Sequence, residues 1–395
     1  MKTTHKPRIL FVAPLPPPVH GSSMMGKHIH DSKAINDAFR VDYVNLATSR
    51  TMDEIGKHSW PLYAHKTLHF LASYLQTLWK LLTHRYDLTY LAVTCHGTGF
   101  LKDFPYLLAA RLLCKRRVIH QHNQGMAPYT SRPPYKWLLP MAYAKAKVIL
   151  LSWKLYDDIS AVVGKDQILT CPNGLPMPPN TPGNHDTHQP PEILYLGNLV
   201  ESKGVWPLLD ALKTLKDKSL EFHCTFVGDT SRTITAQKFA TEVRRRNLEE
   251  TVEYLGPRYG SDKWQAYAKA DIFVLPSTDD CLPLTIIEAM MCRLPVVASS
   301  VGAIPDLIDD GTTGFIVNHH HLMAGAGGGT ATRHAALAHR LEQLLADPLL
   351  RSRMGRAGHE KYQRQFTLEA FEDNMIRCLN ESMAPPNPHK KTTTK

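Results

Sequence analysis

Short apolar runs alternate with longer amphipathic stretches along the whole chain. In the first half, runs at 8–13, 41–45, 88–93, 117–120, 147–151 and 168–171 predict strands, with helical spacing between most of them. Residues 172–183 then break the pattern with a cluster of prolines, asparagines and glycines that reads as a linker. The rhythm restarts beyond it, with strands expected at 192–196, 221–227, 252–255, 271–275, 295–298 and 314–317. Repeated strand–helix–strand units predict a parallel sheet covered by helices on both faces. The fold class is therefore α/β, with two Rossmann-like doubly wound domains facing each other across a cleft. Ligands in such sheets meet the carboxyl ends of the strands. The boundaries expected are 1–175 for the first domain, 176–190 for the linker and 191–366 for the second domain. Residues 367–384 should form a helix that packs back on the first domain, and 385–395 a disordered tail. A length of 395 residues suits two domains.

Composition narrows the classes. Seven cysteines are scattered, odd in number and without a Cys-x-x-Cys pair, which argues against a disulfide framework or a zinc ribbon and suits a reducing cytosol. The apolar run at 9–13 is too short for a secretory signal, and no run approaches the roughly 18 apolar residues of a spanning helix. The location expected is cytoplasmic, with the inner face of the membrane as a place of peripheral contact. Charge is uneven: residues 1–180 hold 22 Lys and Arg against 10 Asp and Glu, and residues 181–395 hold 24 against 26. A basic half attracts nucleic acid, anionic lipid or a phosphorylated substrate. No helix-turn-helix, zinc finger or RNP pattern supports nucleic acid. Residues 60–86 combine six aromatics with Lys66, Lys80 and Arg85, and their leucines recur at helical spacing. Such a helix either lies on a membrane surface or packs its leucines on the sheet. Residues 135–147 are a second candidate of the same kind. The run His319-His320-His321, with glycines close behind, reads as a loop insertion, since no carboxylate or cysteine accompanies it as a metal ligand.

The candidate chemistry sits in the loops that follow strands. Pro276-Ser277-Thr278-Asp279-Asp280-Cys281-Leu282-Pro283-Leu284-Thr285-Ile286-Ile287-Glu288-Ala289-Met290 reads as a loop bearing carboxylates that runs into a helix. Pro283, Leu284 and Thr285 would open that helix, with proline suited to its first turn and the free backbone N–H groups after it making an anion site. Glu288, about one turn further in, could accept hydroxyl hydrogen bonds. Gly197-Asn198-Leu199-Val200-Glu201-Ser202-Lys203-Gly204 follows the first strand of the second half, where glycine lets backbone approach a phosphate and Lys203 supplies charge. In the first half, Gly21 and Ser22 close a proline-rich turn before a helix. His120-Gln121-His122 and His96 end strands. Gly228 and Arg258 lie in two further loops of the second half.

Asp280 and Glu288 with seven residues between them, Ala289-Met290, the run Leu294-Pro295-Val296-Val297-Ala298, Gly302 and Asp306-Leu307-Ile308 together resemble the signature of glycosyltransferase family 4. The resemblance spans most of the chain and is specific over 192–318. It implies the GT-B fold, a nucleotide diphosphate sugar as donor with UDP favoured, retention of configuration, and no metal or other cofactor. By the same resemblance Glu288 holds the donor ribose, Asp280 lies near the sugar hydroxyls, and Gly197, Asn198 and Lys203 face the diphosphate. The resemblance also implies that Gly21 and Ser22 lie near the donor phosphates, Gly228 in the donor site, Arg258 near the base and His122 beside the sugar; His96, at a strand end, could line the acceptor pocket. The chain departs from the family in having Asp rather than Glu at 280 and Asn rather than Arg at 198. A lipid-linked or glycan acceptor in surface polysaccharide or glycolipid synthesis fits the basic first half. A GT-B epimerase, a phosphorylase and a non-catalytic binding module are the alternatives.

Overall fold

The computed structural model describes residues 6–49, 54, 60–178, 189–318 and 334–385. Most of the linker, the histidine–glycine insertion and the tail from 386 lie outside the described residues. The chain divides into two compact units, residues 1–172 with 371–395, and residues 173–370.

Unit 1 is a six-stranded parallel sheet in the order β2-β1-β3-β4-β5-β6. Its strands are β1 (Arg8–Ala13), β2 (Arg40–Asn45), β3 (Leu88–Leu91), β4 (Arg117–Gln121), β5 (Lys147–Leu150) and β6 (Ile168–Thr170). Between them run α1 (Gly21–Asp31), α2 (Lys33–Ala38), α3 (Trp60–Thr83), α4 (Gly97–Leu113), α5 (Tyr135–Tyr143) and α6 (Tyr156–Ile159). β3 and β4 are buried along their whole length, as strands covered on both faces must be, so their apolar residues run on rather than alternate.

Unit 2 repeats the plan with β7 (Glu192–Leu196), β8 (His223–Val227), β9 (Val252–Tyr254), β10 (Ile272–Leu275), β11 (Val296–Ser299) and β12 (Gly314–Val317), in the order β12-β11-β10-β7-β8-β9. Its helices are α7 (Val205–Asp217), α8 (Ala236–Arg245), α9 (Gly260–Ala268), α10 (Leu284–Met291), α11 (Ile304–Leu307), α12 (Ala335–Ala346) and α13 (Pro348–Gln365). The last helix, α14 (Leu368–Met383), leaves unit 2 and belongs to unit 1 from Phe371 onward. There Arg377 donates to the Thr170 carbonyl at 2.9 Å, and Phe371, Met375, Cys378 and Leu379 are buried.

All twelve strands expected from the apolar runs form, three with the expected ends and the others with ends moved by no more than two residues. In each unit the first strand sits beside the later strand at which the sheet order reverses: β1 beside β3, and β7 beside β10. Loops that leave those two neighbours in opposite directions open a crevice at the carboxyl edge.

Candidate functional site

In unit 2 the reversal point brings together two loops that lie far apart in sequence. Lys203, in the turn after β7, reaches Asp280, in the loop after β10, at 2.5 Å. Ser277 donates a longer bond to the same carboxylate oxygen, at 3.3 Å. Backbone fixes this approach: the Thr278 N–H donates to the Ser202 carbonyl at 2.7 Å. Gly204 closes the turn at φ +75°, and a Cβ there would stand 2.0 Å from the Pro276 carbonyl oxygen. Only glycine permits both the left-handed backbone and this contact. Gly204→Ala is therefore expected to cost about 2 kcal/mol or more. A urea midpoint equal to wild type would show that the turn can give way.

The same carboxyl edge collects the other loops of unit 2. Gly197 donates to the Val227 carbonyl at 2.9 Å, and Gly228, at φ +151°, packs directly against the Gly197 carbonyl. Asn198 is exposed and carries no charge to replace a guanidinium; its side-chain oxygen accepts from the Asp229 N–H at 3.4 Å. Gly302, at φ +55°, lies against the Asp280 carbonyl, and Ala303 donates to the Cys281 carbonyl at 2.7 Å. The Asp280 loop is thus held by backbone on two sides. Arg258 is exposed beyond the end of β9, in the loop that precedes α9.

Helix α10 starts at Leu284 with Pro283 as its N-cap residue and no side-chain cap. The N–H groups of Leu284 and Thr285 belong to the first turn, which has no intrahelical partner to offer them. One turn on, Glu288 is buried among apolar residues, where a carboxylate must be satisfied. Both of its oxygens are: Lys263 donates to Oε1 at 2.6 Å and the Tyr267 hydroxyl to Oε2 at 2.9 Å. Burial, reinforced by the Glu288 charge, pushes the Tyr267 phenol well above its usual range, so it stays a donor. Lys263 and Tyr267 were not among the residues singled out from sequence. Their i, i+4 spacing on α9, the helix that follows the Arg258 loop, was the available signal.

In unit 1 the residues after β1, β3 and β4 gather at the equivalent edge. His20 caps α1, its Nδ1 accepting from the Ser23 N–H at 3.3 Å and lying 3.0 Å from the Ser22 hydroxyl. Gly21 opens the helix, and a Cβ there would meet nothing within 4 Å, so space does not demand a glycine. His120 is fully buried and pairs with the Tyr90 hydroxyl at 2.7 Å. His122, just past the strand, is half-buried, its ring centre 4.0 Å from that of His120. His96 stacks on Tyr129 at 5.4 Å between centroids and lies against Gly125. Asp158 was not foreseen: it accepts from three successive backbone N–H groups, those of Gly125, Met126 and Ala127, at 2.9–3.0 Å. It fixes the loop that carries His122.

Burial first, and then the nearby His20, lowers the His122 pKa to about 4; burial holds His120 well below 6.5. Both rings are therefore neutral at pH 7. Their folded-state values lie below the unfolded ones, so the stability they contribute is complete above pH 6.5 and is lost as pH falls toward 4. Unfolding between those limits is expected to take up protons. His122→Gln should flatten the slope of stability against pH over that range, as measured by urea unfolding; an unchanged slope would show that His122 does not titrate this way.

The model of the family described as glycosyl transferases group 1 matches residues 190–347. The sulfoquinovosyl transferase SQD2 of Arabidopsis thaliana is 28% identical over 239 residues, which is 54% of this chain and 44% of that protein. The alpha-D-kanosaminyltransferase of Streptomyces kanamyceticus is 24% identical over 308 residues, 73% of this chain and 76% of that one. The chain thus spans less than half of the first relative's length and most of the second's. Among solved structures, sucrose-phosphate synthase from Thermosynechococcus elongatus superposes with a TM-score of 0.71 at 19% identity, covering 95% of this chain and 98% of that one. Anabaena Alr3699/HepE in complex with UDP gives 0.70 at 18% identity, covering 95% and 100%. At such identities the likeness shows the fold, which is the GT-B class.

Proposed function

We propose that the chain, whose residues 190–347 match the model of the glycosyl transferases group 1, is a retaining enzyme that moves a sugar from a nucleotide diphosphate donor, UDP in the first instance, to a lipid-linked or glycan acceptor in surface polysaccharide or glycolipid synthesis. The observation that carries this reading is the Lys203–Asp280 pair at the reversal point of the second sheet. A donor diphosphate placed there would meet the Lys203 ammonium and the free N–H groups opening α10, which favour the negative charge that develops on the leaving group. It would displace part of the Asp280 contact and leave that carboxylate to accept from sugar hydroxyls. Glu288, steadied by Lys263 and Tyr267, is set to accept from the ribose. Gly197, Asn198 and Gly228 shape the backbone beside the phosphates, and Arg258 stands free for the base.

In unit 1, neutral His122 is assigned to the transferred sugar, His96 to the acceptor, and Gly21 with Ser22 to the phosphates. With Asp280 given to the sugar hydroxyls and Glu288 held at both oxygens by Lys263 and Tyr267, neither carboxylate is assigned to attack the anomeric carbon, so same-face substitution is favoured over a covalent intermediate. Lys203 and the N-terminus of α10 would supply the positive charge without a metal, and activity should survive a chelator. The solved structures named with UDP and with UDP-glucose support a uridine donor. The proposed workplace is the inner face of the membrane.

Calorimetric binding of UDP-, GDP- and ADP-sugars is the test. Binding of one nucleotide class, with product formed only when an acceptor is added, supports transfer. Alteration of the sugar without an acceptor would make the protein an epimerase.

A further inference from the structure

We propose that the outward face of α3 docks the protein onto an anionic membrane surface. The inference rests on the reading above only in its membrane part, and gives that contact a place. α3 packs against α4 through Phe70, Ser73 and Tyr74, which surround Tyr106; the Ser73 and Tyr106 hydroxyls are 2.7 Å apart. Most of the leucines whose spacing suited either a membrane surface or the sheet point away from α4, Leu78 alone of that series being half-buried. Leu68 is 68% exposed, Leu71 46%, Leu75 62% and Leu82 69%, with Trp79 at 57%. At roughly 100° per residue these five side chains fall within an arc of about 80°. A soluble helix normally buries its apolar residues, whereas α3 buries its aromatic face and leaves this second apolar stripe outside. Leu112 on α4 and Trp137 on α5, the helices packed next in line, are exposed as well.

Charge selects the occupant. Helix α3 has no acidic residue in its 24 positions. Residues 60–147 contain twelve Lys and Arg but only two acids, Asp87 and Asp103. Both acids are engaged within the protein: Asp103 is buried and accepts from the Thr94 N–H, and Asp87 accepts from the Arg8 N–H. Arg85, Lys102, Arg111, Lys115, Arg116 and Lys136 are exposed on this helical layer and its ends. A second copy meeting this face would set like charges together, whereas anionic headgroups would neutralise them while the leucines and tryptophans enter the acyl boundary.

Flotation with vesicles of phosphatidylglycerol and phosphatidylcholine, against phosphatidylcholine alone, tests the surface. The protein should float with the anionic vesicles at low salt, float less as salt screens the cations, and not float with neutral ones. Leu68→Glu with Leu75→Glu should cut the bound fraction at least tenfold. Both positions are exposed, so folding and nucleotide binding should persist. Equal flotation of the double variant, or no flotation of the wild type, would overturn the proposal. So would a dimer, detected by light scattering, that the double variant dissolves. Nucleotide binding, measured on both proteins without vesicles, reports on the transferase reading separately.

Discussion

Lys203→Ala is expected to lower kcat/KM for sugar transfer by at least a hundredfold, about 2.7 kcal/mol of transition-state stabilisation. Two roles end together. The ammonium that would face the departing diphosphate is gone, and Asp280 loses the partner that holds it at 2.5 Å. Folding should suffer little: the lysine side chain is about a quarter exposed, and a partly solvated pair contributes on the order of 1 kcal/mol or less. Lys203→Arg should recover only part of the activity, because a planar guanidinium does not place its charge where an ammonium does. The check is kcat/KM and UDP affinity for each variant, with urea unfolding alongside. Transfer within threefold of wild type in Lys203→Ala would remove this residue from the donor site.

Glu288 should separate binding from folding differently. In Glu288→Ala, Lys263 loses its carboxylate partner and the buried Tyr267 hydroxyl keeps only the Thr285 carbonyl, at 3.1 Å, which is expected to cost about 2 kcal/mol of stability and abolish measurable donor binding. Glu288→Gln keeps an acceptor for one of them and should fold close to normally, with affinity for UDP lowered by about tenfold or more. Ribose contact has its own signature. Wild-type protein should bind UDP more tightly than its deoxyribose analogue, and Glu288→Gln should bind the two alike. A variant that still discriminates between them would place the ribose elsewhere.

The two predictions rest on contacts of different legibility. The loop that carries Asp280 and the helix that carries Glu288 were readable in the chain, because a strand, a turn and a proline-led helix start each follow from local preference. The Gly197–Lys203 turn was readable for the same reason. That Lys203 and Asp280, 77 positions apart, would touch was not. Nor was the part played by Lys263 and Tyr267, which look like ordinary surface and core residues of α9 until Glu288 is placed beside them. Asp158 shows the same gap in unit 1, holding a loop 31 to 33 residues before it.

The twelve strands, the repetition of one βαβ plan and the positions of the loops were determined by the sequence itself. Each depends on periodicity over fewer than about twenty residues, and apolar runs bounded by turn residues have few other ways to bury themselves. Strand order was decided only in three dimensions. The crossovers that seat β10 beside β7 also bring their loops together, and no local pattern states which strands will be neighbours. The exposed leucines of α3 make the point most sharply. Their spacing announced an amphipathic helix, but only the packing of Phe70 and Tyr74 on Tyr106 decided which side of it would face inward. Aromatic side chains fill the space above α4, and the leucine stripe, on the other side of the same helix, is left outside because a single helix cannot bury two faces against one neighbour.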